Sequence, residues 1–241
     1  MRNRRPAPPL ALTRRRLLGT LSAGAVLAVA GAMARPAAAQ DTAAPAVPAP
    51  PPEAPAATQH PFSFDALTEE MRAAAAAGPD KPIALPDGFL SQLTYDDYRL
   101  IRFDPMRARF AEVQETRFQL HAFHLGWLFK EPVLLYEVQG DQSRLMGFDT
   151  DDFIYERQAR DHVPLHAQLP GVAGFRLHTP LNRPDVFDAL VAFQGASYFR
   201  ALGRDSTYGL SARGLAVNTG LSVAEEFPRF TRFWIQRPEP G

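Results

Sequence analysis

Cysteine is absent from the 241 residues, which excludes disulfides, thiolate metal sites and cysteine nucleophiles. Acidic side chains are absent from residues 1–39, which instead hold seven of the 26 basic residues, all of them arginine. From residue 40 onward the shortage reverses. There 19 positive charges face 26 negative ones, a net charge of −7 concealed in an overall sum of zero. That deficit argues against a nucleic-acid partner, because a surface that neutralises phosphates must be basic. Internal repeats are lacking too. The roughly 200 residues beyond the arginine-rich arm suffice to bury about 70% of their unfolded surface without a metal or disulfide staple.

What the first segment does contain is Arg14-Arg15-Arg16 followed by an apolar run from Leu17 to Ala34. A twin arginine ahead of such a run is an export signal, and Ala37-Ala38-Ala39 supplies a small-x-small cleavage site. The run is just long enough to span a bilayer. Its glycines and weak hydrophobicity, with the cleavage site, point to removal of residues 1–39 and not to a lasting membrane anchor. Residues 40–60 are rich in proline and alanine and read as an extended tether. The folded domain is expected over residues 61–241.

Ser63 can cap a helix that runs through alanines 73–77 and stops at Gly78-Pro79. A second helical piece is expected around Tyr95–Ile101. Beyond Pro105 the texture is that of short strands: residues 118–123 alternate, Val133–Val138 is β-rich, and Gly174–His178 and Ser197–Leu202 follow. Asp185–Phe193 fits helix or strand. The whole reads as mainly β, a β-sandwich behind a short helical lead.

Several motifs are weaker than they look. His121 and His124 would lie on opposite faces of a strand, and Pro164 opposes the helix that would align His162 with His166, so no metal site is expected. Asp149-Thr150-Asp151-Asp152 begins like a calcium loop, but Phe153 stands at a ligand position, which leaves a solvated acidic turn. Gly209–Gly214 is not a nucleophile elbow, since Arg213 replaces the second glycine. Glu225 and Glu226 are adjacent and face opposite sides of a strand, a poor geometry for an acid and base pair; an ion pair with Arg213 or Arg229 suits them better. No catalytic residue and no cofactor is assigned.

The richest stretch is 195–238, where aromatic rings interleave with Arg, Glu, Ser and Tyr. Such a pattern suits a sugar-binding cleft, with rings against the apolar face of a pyranose and polar groups on its hydroxyls; on composition alone a sandwich core with ordinary ion pairs is the preferred account. The strings Gly195–Arg200, Tyr208–Gly214 and Glu225–Phe230, together with Phe62-Ser63-Phe64-Asp65 and Phe233–Pro238, resemble the periplasmic glucan biosynthesis proteins, the G and D proteins of osmoregulated periplasmic glucan synthesis. The resemblance implies a periplasmic protein acting on β-1,2-glucan, with a galactose-mutarotase-like β-sandwich followed by an immunoglobulin-like domain. It also implies inverting hydrolysis by aspartates in some members, and a membrane glucosyltransferase as partner. The twin arginine resembles the D branch. Family chains continue well beyond Trp234-Ile235, so this chain corresponds to the first half of one, with the sandwich incomplete, the immunoglobulin-like domain absent and the catalytic aspartates outside it. Tyr198, Arg200, Tyr208, Arg213, Glu226, Arg229 and Trp234 are the candidates for lining the sugar site.

Overall fold

The computed structural model describes residues 58–78, 81, 85, 87–195, 197–203, 205–207 and 209–240. The expected export signal, most of the expected tether and Tyr208 lie outside these residues.

Ser63 sits in extended backbone and its Oγ accepts the Ala66 N–H at 3.1 Å, satisfying one of the donors a helix start leaves free. The helix α1, Phe64–Ala77, then runs to Gly78, whose φ of 89° ends it. None of its residues is buried, so α1 rides on the surface. Arg232 holds it through Glu70 at 2.6 Å. Ahead of it, Gln59–Pro61 forms an edge strand, β1, so the ordered chain starts inside the segment expected to be tether. Two short helices follow, α2 (Phe89–Gln92) and α3 (Tyr95–Tyr98). Thr94 and Asp97 cap α3 reciprocally, Thr94 accepting the Asp97 N–H at 3.3 Å and Asp97 accepting the Thr94 N–H at 3.1 Å. The helix expected to reach Ile101 stops at Tyr98, because Ile101–Phe103 is taken by strand β2.

The remaining elements are β3 (Gln119–Phe123), β4 (Leu134–Gln139), β5 (Gln142–Leu145), β6 (Phe153–Tyr155), α4 (Ala159–His162), β7 (Gly174–Pro180), β8 (Phe187–Gln194), β9 (Tyr198–Ala201), β10 (Ala212–Arg213) and β11 (Arg232–Gln236). Among the described residues they form a four-stranded sheet ordered β1-β5-β4-β11, a five-stranded sheet ordered β10-β9-β8-β7-β3, and the pair β2-β6. Every pairing is antiparallel except β11 on β4, which is parallel. The segment that periodicity left open is a strand, since β8 bonds to β7 on one side and β9 on the other.

Register decides what the five-stranded sheet buries. Ala122 pairs with Phe175, Phe175 with Phe193, and Phe193 with Phe199, which puts these four on one face. From the facing sheet the Phe233 ring stands 4.9 Å from that of Phe175 and 5.0 Å from that of Phe193, and Phe230 closes the cluster. Leu120, Leu135 and Val172 are fully enclosed beside it. The result is a two-sheet β-sandwich with a phenylalanine-rich centre, and each ring fully buried there contributes about 1.5–3 kcal/mol. The opposite face of the five-stranded sheet carries His121, Arg176, Ala192 and Arg200 in one row. At its β3 end that face is roofed by β2-β6: Phe103 stacks on His121 at 5.1 Å, so this histidine is buried although it alternates with core residues.

Candidate functional site

Away from that roof, the outer face of the five-stranded sheet is hollowed. The row next to His121–Arg176–Ala192–Arg200 runs Phe123–Gly174–Gln194. Gly174 brings no side chain and Ala192 only a methyl, so the floor is low between taller neighbours. Glycine is required at 174: with φ of 144°, a Cβ there would come 2.1 Å from the Phe193 carbonyl oxygen. The hollow measures about 330 Å³, within the range of small-ligand sites, and is edged by Phe123, Arg176, Gln194, Tyr198, Arg200 and Ser211. Arg176 lies over the Phe123 ring at 4.9 Å. Arg213 lies over Tyr198 at 5.4 Å and over Phe227 at 5.0 Å, and pairs with Glu225.

An aromatic wall is tied to the hollow through Gln194, whose Nε2 donates to the Tyr98 hydroxyl at 3.2 Å. Tyr98 in turn donates to the His124 carbonyl at 2.8 Å. Trp127 stands 5.0 Å from Tyr95 and 5.8 Å from Tyr98, and Phe129 lies 5.6 Å from Tyr98. Burial raises the Tyr98 phenol well above its ordinary range, so it is a neutral donor. His124 is held neutral, its pKa lowered to about 4 by burial. Its Nδ1 donates to the Leu125 carbonyl, which leaves Nε2 to accept from the Tyr155 hydroxyl at 2.9 Å.

The residues singled out from sequence are divided by the fold. Tyr198 and Arg200 edge the hollow, and Arg213 stands at its rim over Tyr198. Tyr208 is outside the described residues. Glu226 is exposed in a backbone bridge to Val217, and Arg229 pairs with Glu131, not with either neighbouring glutamate. Trp234 belongs to the other sheet, where it stacks on Tyr136 at 5.1 Å with Arg232 over its ring at 5.4 Å. The cause is topological: residues 195–238 cross from β9 and β10 in one sheet to β11 in the other. Phe123, Arg176, Gln194 and the wall of Tyr95, Tyr98, Trp127 and Phe129 were not foreseen. Their signal, the register of β3 on β7 and β7 on β8, exists only once the sheet is paired.

Two other motifs resolve. The acidic turn is not solvated throughout: Asp152 is buried and takes both Arg109 nitrogens at 2.9 and 2.8 Å, while Thr150 is buried against the Pro164 carbonyl. His166 pairs with Asp151 and His162 with Asp97. The His121 and His178 rings lie 4.0 Å apart, each pKa lowered to about 4, by burial first and then by the neighbouring histidine or Arg176. No group of three His, Cys, Asp or Glu able to hold a metal occurs among the described residues.

Residues 62–241 match the family model described as "Periplasmic glucan biosynthesis protein, MdoG". The chain belongs to this family. It is 54% identical over 235 residues to the glucans biosynthesis protein G of Cereibacter sphaeroides, a match covering 98% of this chain and 43% of that protein. Similarity extends to the protein G of Rhodopseudomonas palustris BisA53, 43% identical over 76% of this chain and 36% of that one. It extends also to the glucans biosynthesis protein D 1 of Ralstonia nicotianae, 46% identical over 76% of this chain and 34% of that one. Relatives of both names match, so the family membership carries no preference for the D branch. The chain spans less than half the length of these curated relatives. Within the family match fall α1 and every strand after β1, including all six residues that edge the hollow.

Proposed function

We propose that the chain acts in periplasmic glucan biosynthesis by binding β-1,2-linked glucan in the hollow on the outer face of the five-stranded sheet. The observation that carries this is the convergence there of the Phe123 and Tyr198 rings with polar side chains of Gln194, Arg200 and Ser211 around a small-residue floor. Rings cover the apolar face of a pyranose, and amide, guanidinium and hydroxyl groups bond its hydroxyls. The reading is one of binding: inverting hydrolysis needs two carboxyl groups about 6.5–9.5 Å apart, and among the described residues the hollow is edged by rings, amide, guanidinium and hydroxyl groups. Cleavage in longer family members would draw its acids from other chain segments. A binding module of this kind guides nascent glucan, and a membrane glucosyltransferase is the partner that would deliver it. Residues 1–39 serve as the export signal in this reading, and no helix among the described residues is long and apolar enough to cross a membrane.

The test is a calorimetric titration of the chain with linear β-1,2-glucan. Saturable binding is expected, with Tyr198→Ala and Arg200→Ala each weakening it by at least about tenfold, or about 1.4 kcal/mol. A flat titration of the folded chain would remove the reading.

A further inference from the structure

The outer face of the four-stranded sheet is crossed by a helix that stands clear of it. Register puts His60, Ser143, Tyr136, Trp234 and Arg232 on that face: His60 pairs with Ser143, Ser143 with Val138, two residues beyond Tyr136, and Tyr136 with Trp234. The helix α1 spans it from one edge to the other. Its start is pinned beside β1 and β5, where the Phe62 N–H donates to the Asp141 carbonyl at 2.6 Å, and Glu70 ties it to Arg232 on β11 at 2.6 Å. A helix laid on a sheet ordinarily buries an apolar stripe against it. No residue of α1 is buried, and only Leu67 and Ala74 are half-buried. Between helix and sheet lies a hollow of about 220 Å³. Its apolar lining comes from Leu67 and from Tyr136 and Trp234, whose rings lie 5.1 Å apart with their planes 10° from parallel. Its polar lining comes from Ser143, Glu70 and Arg232. Glu70 and Arg232 match each other's charge, so an ion gains little from the pair, whereas a hydroxyl can accept from the guanidinium and donate to the carboxylate.

We propose that this hollow is a second saccharide site, which seats one neutral glucose unit between α1 and the Tyr136–Trp234 pair. Aromatic and aliphatic side chains cover the C–H surface of the sugar, and the polar groups bond its hydroxyls. The volume lies below the roughly 300 Å³ at which drug-sized ligand sites begin, which suits a single ring and not an oligosaccharide. The site is no extension of the first hollow, because the two occupy the outer faces of opposite sheets, whose backbones are about 10 Å apart. Together with the glucan-binding reading of the first hollow, it gives one chain two grips, back to back, on separate stretches of a long polymer.

The chain's two tryptophans separate the sites, since Trp127 stands in the wall beside the first hollow and Trp234 lines the second. In Trp127→Phe the emission of Trp234 alone is followed while the full chain is titrated with the β-1,2-linked glucose disaccharide. A saturable change is expected. Adding Ala66→Phe, which brings a ring into the hollow from an exposed position of α1, should weaken the response by at least about tenfold and leave the urea midpoint where it was. Ala66→Ser leaves the hollow open and should keep the response, as should Tyr198→Ala in the first hollow. Constant Trp234 emission in a chain with a normal urea transition would overturn the proposal, and so would an undiminished response in Ala66→Phe. Loss of the response in Tyr198→Ala would assign it to the first hollow and overturn the second site. A Trp234 response that persists while Tyr198→Ala and Arg200→Ala leave the affinity for long glucan unchanged would remove the first reading and uphold this one.

Discussion

The two faces of the five-stranded sheet are written by the same residues taken alternately, and they could hardly differ more. On the inner face Ala122, Phe175, Phe193 and Phe199 line up across four strands and meet Phe233. On the outer face, one residue out of step, stand His121, Arg176, Ala192 and Arg200. A slip of one residue in any strand would exchange the two sets. The contrast teaches that the stability of this sandwich and its chemistry are separable: the rings inside hold the sheets together, and the groups outside can change without touching them.

That separation can be broken or sharpened by experiment. The largest effect belongs to the inner face. Phe193 contacts Phe175, Phe199, Phe230 and Phe233, and Phe193→Ala is expected to cost about 3–5 kcal/mol, read as a lower urea midpoint. A loss below about 1 kcal/mol would mean that the ring cluster does not hold the sheets together.

Intermediate in size is the place where the outer face is roofed and behaves like a core. His121, His124 and His178 have folded pKa values lowered to about 4, against about 6.5 in an unfolded chain. The unfolded chain therefore takes up protons first, so stability is complete above about pH 6.5 and declines as pH falls toward 4. Asp97 and Asp151, whose pKa values are lowered chiefly by hydrogen bonds from Thr94 and His166, add a further loss at lower pH. A urea midpoint that stays constant from pH 7 to about pH 4 would contradict the burial of these imidazoles. Replacing His178 by Gln should flatten the upper part of the decline.

The smallest effect on folding is expected on the open outer face. Arg200→Ala should move the urea midpoint by the equivalent of no more than about 0.5 kcal/mol, while the proposed function expects it to weaken glucan binding. A large stability loss there would join the two faces that the register keeps apart.

The parts of this fold that were legible in the sequence are those set by neighbours along the chain. Ser63 and Gly78 mark both ends of α1 because capping is a local event, and β4, β7 and β9 show as short apolar runs. Gln59 and His60 look like tether because their strand exists only by pairing with β5. Asp185–Phe193 stayed ambiguous because the strand found there, Phe187–Gln194, is half-buried at every position, which leaves no period to read. Tyr198 and Arg200 were singled out together because they lie close in sequence, and the strand they share brings both to the edge of the hollow. Trp234 was grouped with them by proximity in sequence, but it lies on β11 in the other sheet, and Glu226 and Arg229 lie in the connection that leads there. Phe123, Arg176 and Gln194 come from three strands and become neighbours only through register. Asp152 looked solvated because the arginine that neutralises it is 43 residues away.

The parallel pairing of β11 on β4 sets an order of events during synthesis. Strands β7, β8 and β9 follow one another closely and can form their meander as soon as they emerge. Phe175 and Phe193 must then wait for Phe233, whose strand pairs with β4 about a hundred residues earlier in the chain. Such distant pairing is slow, and until it occurs the inner rings lack their cover. Residues 232–236 therefore decide when the inner face closes: until that strand docks on β4, Phe175 and Phe193 stay open to mispairing with other chains.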